Sequence, residues 1–390
     1  MTSNDKKSIY IPVYNGEEFL NDMLQRIDEL GYLDEIKMID DCSTDSTEQI
    51  LEEWSDKGLD FVTMKDNGQK IGSIKNVLEE DFESERLPEY IVLHDADCFI
   101  HTESENDSSK NHDLKKALDK SIDFMKMMNW QGMALKDVPF IDNNSNFLER
   151  IQYREYRWDR SFHYRIGKVG KMRCIPGAGG IYKSDSLLDV LKKHSLRHDG
   201  DDMETTALMQ KFGYNVGYYT KRMMKDFHLE EEDYPLITVN TITPKGPLSL
   251  FNQRCRWTAG AIDTYLKEGK FYLGELKQKP RRLGFQALYE TGKMVTYPLW
   301  YWAVFEHPEY VLPISWLMTG AMNTALTWFN PEYHDEFETL PEKIWDSTKN
   351  FIPNATYTIL MDSLRVPGGY FRAFNNYLKR KWDKEKNHKS

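Results

Sequence analysis

The stretch YIVLHDADCFIH, residues 90–101, decides how the chain is read. Tyr90 to Leu93 carry the apolar and β-branched side chains of a strand covered on both faces. Two carboxylates then flank a single alanine, Asp95-Ala96-Asp97. Like charges two positions apart repel, and the tip of a buried strand solvates them poorly. A hard divalent cation relieves that repulsion, because it takes carboxylate oxygens as ligands. A solvated turn after a strand is the plainer explanation, and the motif alone leaves both open.

Outward from this stretch, strand and helix signals alternate as in an α/β domain. SIYIPV (8–13) reads as a strand, and GEEFLNDMLQRIDEL (16–30) as a helix with Phe19, Leu20, Met23, Leu24 and Ile27 along one side. EIKMIDD (35–41) is a second strand ending in Asp40-Asp41. STDSTEQILEEW (43–54) is a helix that Ser43 or Asp45 can cap, its acidic first turn matching the helix dipole. LDFVTM (59–64), GSIKNVLEEDF (72–82) and EYIVLHD (89–95) continue as strand, helix and strand. In such a doubly wound pattern ligands gather at the carboxyl ends of the strands, where Asp40, Asp41, Asp95 and Asp97 all fall. That convergence favours a binding site over a solvated turn.

Further along, HTESENDSSKNHD (101–113) reads as a polar loop whose His101 and His112 are solvated. A boundary precedes IPGAGGIYKSD (175–185), and GDDMETTALMQKFGYNVGY (200–218) opens as a helix with Asp201, Asp202 and Glu204 in its first turn. NVGYYTKRMM (215–224) is strand-like. From about Pro280 the chain turns to Trp- and Tyr-rich helical segments and a basic tail. The expected division is 1–240, 241–283 and 284–390.

The 390 residues, 40% hydrophobic and 29% charged, suffice for one large core or for two to three domains. A net charge of -11 argues against wholesale polyanion binding. Four scattered cysteines, with no CxxC pair, indicate neither a zinc site nor a disulfide framework, so a reducing compartment is expected. The N-terminus enters a strand at once without signal-peptide character, and the expected location is the cytoplasm, with peripheral membrane contact as an option. Tyr310 to Phe329 carries no formal charge over a bilayer-spanning length. Its Pro313 and interspersed Ser, Thr and Asn favour a buried or membrane-facing helix over a true span.

IPVYNGEEFL, IDDCSTDST, HDADC, the GDD helix and FNQRCRWTAGA occur in this order. The set resembles the family-2 glycosyltransferases, and within them the cellulose, chitin and hyaluronan synthase branch with its D, DxD, (E/D)D and QxxRW signatures. The resemblance covers roughly residues 8–265, and QRCRW matches QxxRW. It implies an A-type glycosyltransferase fold, a Rossmann-like mixed sheet flanked by helices, followed by a mainly helical C-terminal region. It also implies an inverting, metal-dependent transfer of sugar from a nucleoside-diphosphate sugar, UDP foremost, to an acceptor hydroxyl.

The resemblance implies roles residue by residue. Mn²⁺ or Mg²⁺ is held by Asp97, with Asp95 contributing directly or through water, and His228 matches a third ligand in many relatives. A surface histidine is the competing reading of His228. Asp41, with Asp40 beside it, resembles the carboxylate that reads the base, and Pro12 and Tyr14 match the strand end where the ring packs. Lys70, Gly72 and Lys75 resemble the loop at the base and phosphates, against a plain solvated helix start. Asp202 matches the general base, with capping as its alternative. Gly179, in GAGGIY, matches the loop bearing the acceptor, and Gln253, Arg254, Arg256 and Trp257 match residues over the diphosphate and acceptor sugar.

The synthase branch threads its product through membrane helices, which this sequence lacks in convincing form, so non-processive transfer is expected. The acceptor is left open among a glycan, a lipid, a protein and a hydroxylated nucleobase of DNA, with membrane-associated polysaccharide synthesis as an alternative. Arg150, Arg154, Arg157 and Arg165 share one helical face that suits a phosphate-bearing acceptor, although such stripes more often pair with acidic neighbours. Two other classes compete: a binding protein that kept the fold without turnover, and a nucleotidyltransferase, which would release a nucleoside monophosphate.

Overall fold

Alternation of β-branched strands with amphipathic helices produces the sheet that carries the motifs. The computed structural model describes residues 7–387 apart from 103–113, 168, 197–198, 231–233, 278–281 and 329–338. Lys7–Val13 (β1), Leu20–Glu29 (α1), Ile36–Asp40 (β2), Thr47–Ser55 (α2), Asp60–Thr63 (β3), Gln69–Glu83 (α3) and Tyr90–His94 (β4) follow the expected order. β3, β2, β1 and β4 lie side by side in parallel. Every residue of β4 is buried, and Ile9, Ile11, Met38 and Ile39 are fully enclosed, as strands covered on both faces require. Pro12, which has no N–H to donate, lies beyond the last pair that β1 makes with β4.

Later strands complete a seven-stranded mixed sheet in the order β3-β2-β1-β4-β8-β6-β9, with β6 at Gly132–Ala134, β8 at Gly179–Lys183 and β9 at Val216–Tyr218. β8 runs antiparallel to β4 and pairs Gly179 with His94 and Gly180 with Leu93. Both glycines admit close neighbours: a Cβ on Gly179 would meet Val239 Cγ2 at 2.6 Å, and one on Gly180 would meet Ile175 Cγ2 at 2.4 Å. After Asp95-Ala96-Asp97 the chain does not enter a loop. It turns through Cys98 N–H to Asp95 C=O (3.1 Å) into Cys98–Thr102 (β5), which joins Lys136–Pro139 (β7) and Ile237–Thr241 (β10) in a three-stranded sheet. His101 therefore belongs to a strand, while His112 lies outside the described residues.

Two other expectations are corrected locally. The first helix starts at Leu20 rather than Gly16; before it Asn15 has φ 52°, and the amides of Asn15, Gly16 and Glu17 are taken by the side chains of Ser43, Thr47 and Asp45 at 2.9, 2.8 and 3.1 Å. Asp45 also accepts from Thr47 N–H at 3.0 Å, so it serves the start of α2 while Ser43 does not. The strand signal at 215–224 ends early: β9 stops at Tyr218, and Thr220 caps Lys221–Asp226 (α8) by accepting from Met223 N–H.

The chain divides into two compact units, residues 1–140, 166–197 and 201–242 in the first and 141–165, 198–200 and 243–390 in the second. The first holds both sheets with Leu114–Met127 (α4), Ser184–Leu191 (α6) and Asp201–Lys211 (α7). The second is helical, with most of Phe147–Gly167 (α5), Pro247–Lys267 (α9), Gly269–Glu275 (α10), Arg282–Glu306 (α11), Pro308–Trp328 (α12) and Leu340–Asn387 (α13). α13 packs closely on α9, since a Cβ on Gly368 or Gly369 would meet Cys255 Sγ at 2.5 Å or Thr258 Cβ at 2.6 Å. Beside this seam Arg254 is fully buried, its guanidinium on Glu155 at 2.6 Å, and Tyr357 donates to the same carboxylate at 2.8 Å. A guanidinium without water needs such pairing, or several kcal/mol of desolvation goes unanswered. Among the described residues no helix is long and apolar enough to cross a membrane. α12 is not buried either, because Tyr310, Leu317 and Met318 are all more than half exposed.

Candidate active site

The acidic strand ends are held by backbone geometry. Asp41 N–H continues the ladder to Val13 C=O at 2.9 Å, and one Asp41 carboxylate oxygen accepts from Gly68 N–H at 2.8 Å. Asn67 donates to the Asp41 carbonyl at 3.0 Å. Burial pushes the Asp41 carboxyl above its ordinary value, an effect that the Gly68 hydrogen bond opposes. Asp40 accepts from Ser43 N–H at 3.0 Å through Oδ1, while its buried Oδ2 has no hydrogen-bond partner among the described residues. Tyr14, just past β1, is half exposed.

At the neighbouring tip, Asp95 receives the Lys70 ammonium in a close ion pair, and Lys70 also donates to Gly177 C=O at 2.9 Å. Lys70 is the second residue of α3, which begins at Gln69, earlier than the periodicity indicates. Although burial opposes its charge, the carboxylates of Asp95, Asp201 and Asp202 hold the ammonium pKa above its usual range. Lys75 faces Glu79 instead, at 3.8 Å on the same helix.

Asp202 sits in the first turn of α7. One of its oxygens accepts from Met203 N–H at 2.7 Å and the other from Gly177 N–H at 3.3 Å. Ile175 N–H donates to Thr206 Oγ1 at 2.8 Å, so the loop before β8 is stitched to the start of α7. Lys70, Leu93, Gly177, Tyr182, Asp201 and Asp202 thereby line one small cleft. A Cβ on Gly177 would lie 2.8 Å from Lys70 Nζ, so the missing side chain is what lets the ammonium in. Gly177 is the glycine that opens on the cleft, whereas Gly179 is enclosed within β8.

His94, unassigned from the sequence, is buried behind this loop with Nδ1 2.8 Å from Ala178 C=O, and burial lowers its pKa. A neutral ring donating from Nδ1 fits both facts, and it ties the end of β4 to the glycine loop. Its position directly before Asp95 was the available signal.

Three ligand atoms, from Asp95, Asp97 and Cys98, gather within 4.8 Å of one another among the described residues. Burial and the two adjacent carboxylates push the Cys98 thiol far up, and Cys98 is buried where Asp97 is exposed. The remaining donors are two carboxylates, a set that fits Mn²⁺ or Mg²⁺ better than a thiophilic metal. His228 is exposed after α8, has φ 55°, and is not part of this group.

The remaining motif residues lie on α9 in the second unit. Arg254 is held by Glu155, donates to the Gln253 side chain, and lies 4.2 Å from the Trp257 ring centre, so it braces its two motif neighbours from within. Trp257 is 40% exposed and meets Tyr156 edge-on at 6.1 Å. On α5, Arg150 donates to the carbonyls of Ser145 and Asp142 at 3.1 and 3.3 Å, which removes it from the expected basic face. The side chains of Arg157 and Arg165 lie outside the described residues.

Residues 8–104 match the model of Glycosyl transferase family 2. The poly(ribitol-phosphate) beta-N-acetylglucosaminyltransferase TarS of Staphylococcus aureus is 29% identical over 108 residues, 27% of this chain and 18% of that protein. The alignment thus spans less than a fifth of the curated relative's length. Among solved structures, the mannosyltransferase PcManGT from Pyrobaculum calidifontis, in complex with GDP-Man and Mn²⁺, is similar over 95% of this chain and 87% of its own at 14% identity. Its TM-score of 0.56 shows a shared A-type glycosyltransferase fold. A structure of S. aureus TarS 1-349 with UDP covers 90% of this chain and 92% of its own, at 14% identity and TM-score 0.41.

Burial and the adjacent Asp202 push the Asp201 carboxyl above its usual value, with Lys70 opposing them. A raised carboxyl favours the folded state while protonated, and that advantage is lost as pH rises through the raised value. Asp201→Asn should therefore raise stability to urea at pH 7, with the gain fading as pH falls below the unfolded value of about 3.9 and gone by about pH 3, where the carboxyl is protonated both folded and unfolded. Equal gains at both pH values would contradict this account of the cleft.

Proposed function

We propose that the protein is an inverting, metal-dependent glycosyltransferase that moves a sugar from a nucleoside-diphosphate sugar, UDP first among candidates, to an acceptor hydroxyl without processive extension. The observation that carries the reading is the single cleft in which Lys70, Gly177, Asp201 and Asp202 meet beside the Asp95-Asp97 strand tip.

Asp97 and Asp95 would hold Mn²⁺ or Mg²⁺, which when bound offsets the charge of the departing diphosphate. Asp41 accepts from the base, and its burial in a backbone cage suits reading a ring N–H. Lys70, released from Asp95, is placed to meet phosphate oxygens. Asp202 takes the proton from the acceptor hydroxyl as the oxygen attacks the anomeric carbon, and the bond from that carbon to the diphosphate oxygen breaks with its electrons on the leaving group. Attack opposite the leaving group inverts the anomeric centre. The acceptor is a glycan, a lipid, a protein or a modified DNA base.

A peripheral membrane contact is proposed alongside, on the exposed Trp302, Phe305, Met318 and Trp345 of the second unit. Co-sedimentation with phosphatidylcholine–phosphatidylglycerol vesicles checks it: Phe305→Ser with Met318→Ser should reduce the bound fraction severalfold, and no wild-type binding would sink it.

Thermal unfolding against a panel of nucleoside diphosphates tests the donor site, because a ligand bound only by the native state raises the melting temperature. UDP with Mn²⁺ should give the shift and Asp97→Ala should remove it. Asp202→Asn should keep the shift while transfer from the matching UDP-sugar falls by about 10²–10⁴-fold, the range for a lost general base. A flat response to every nucleotide contradicts the proposal.

A further inference from the structure

A second group of buried ionisable side chains lies against the first turn of α7, the turn that carries Asp202, and the proposed chemistry does not use it. His194 and Glu204 have side chains with no solvent exposure, 3.6 Å apart. His194 belongs to the connection between α6 and α7, and Glu204 to the first turn of α7. Their hydrogen bonds fix the ring's protonation pattern. Leu196 N–H donates to Nδ1 at 3.0 Å, so Nδ1 is the acceptor. Nε2 then carries the proton, and it lies 3.0 Å from the Asp201 carbonyl oxygen. Thr205 Oγ1 donates to the same carbonyl at 2.8 Å.

That carbonyl belongs to the peptide joining Asp201 to Asp202. Holding its oxygen from outside the helix fixes the orientation of the peptide plane, and with it the direction in which the Asp202 side chain leaves the backbone. Glu204 secures the other end of the arrangement, accepting from Ser195 N–H at 3.2 Å and from the Ser195 hydroxyl. The turn so held is strained: Leu196 has φ 62°, a left-handed conformation that a branched side chain disfavours. A buried imidazole, a buried carboxylate and a strained turn are costly together, and what they jointly determine is the position of one peptide.

We infer that His194 and Glu204 are positioning residues for Asp202, acting through the Asp201–Asp202 peptide. The inference rests on Asp202 as the proton acceptor proposed above. Misplacement by a fraction of an ångström reduces the rate while leaving donor binding untouched, because the donor is held by other residues.

The test uses the full chain and two replacements that divide the imidazole's functions. His194→Gln keeps an amide donor near the Nε2 position and can still reach the Asp201 carbonyl. His194→Asn keeps an acceptor near Nδ1 for Leu196 but loses that donor. His194→Asn should lower kcat with the matching UDP-sugar roughly 10- to 100-fold at unchanged donor KM, the scale of a small misplacement. His194→Gln should recover most of the rate, and the UDP–Mn²⁺ melting shift should persist in both. A rate for His194→Asn equal to or above that of His194→Gln overturns the inference.

Amide exchange by mass spectrometry over 199–206 reads the hold without any turnover. Exchange should be faster in His194→Asn than in the wild type and restored in His194→Gln; unchanged exchange overturns the inference as well. A wild type without turnover on any donor would instead count against the proposed function, and the exchange comparison would still decide whether His194 holds the peptide.

Discussion

The first unit is organised around one electrostatic constraint: carboxylates converge at the carboxyl ends of its strands and must be answered by positive charge. In this structure Lys70 supplies it, paired with Asp95 and within the field of Asp201 and Asp202. An ammonium on a flexible stem is a suitable counterion for such a place, since it can leave when a stronger cation arrives. The glycine at 177 and the early start of α3 both follow from this requirement: the first makes room for the Lys70 head, and the second brings its stem to the cleft.

Around this charge the site is fixed mostly by short polar side chains bonded to backbone. Ser43, Asp45 and Thr47 take the amides of the loop after β1, Asp41 takes Gly68 N–H, and Asp202 takes Gly177 N–H. Such contacts tie loops that are distant in sequence into one rim and fix them more tightly than surface ion pairs would. The rim therefore pre-organises its carboxylates.

Much of this was legible in the sequence. The four parallel strands followed from apolar runs bounded by polar turns, and Asp40, Asp41, Asp95 and Asp97 were expected at their carboxyl ends, where the structure has them. What escaped had a non-local cause. Gly179 looks like a loop glycine within GAGG, yet Val239, far along the chain, is what forbids it a side chain. β5 escaped because its last two residues, His101 and Thr102, open a polar stretch and its partners, β7 and β10, come later. Residues 141–165 gave no sign of clustering with the C-terminal helices, since Glu155 finds Arg254 and Tyr357 only in three dimensions. His94 and His194 look like ordinary polar residues until burial reveals which carbonyls they grip.

The central claim is that Lys70 and a divalent cation answer the same negative charge. Calorimetric titration of Mn²⁺ into the wild type, Lys70→Met and Asp97→Ala tests it most directly. Removing the ammonium should tighten Mn²⁺ binding several-fold, because a competing counterion is gone, while Asp97→Ala should abolish binding. Mn²⁺ affinity indifferent to both substitutions would contradict the account and place any metal elsewhere.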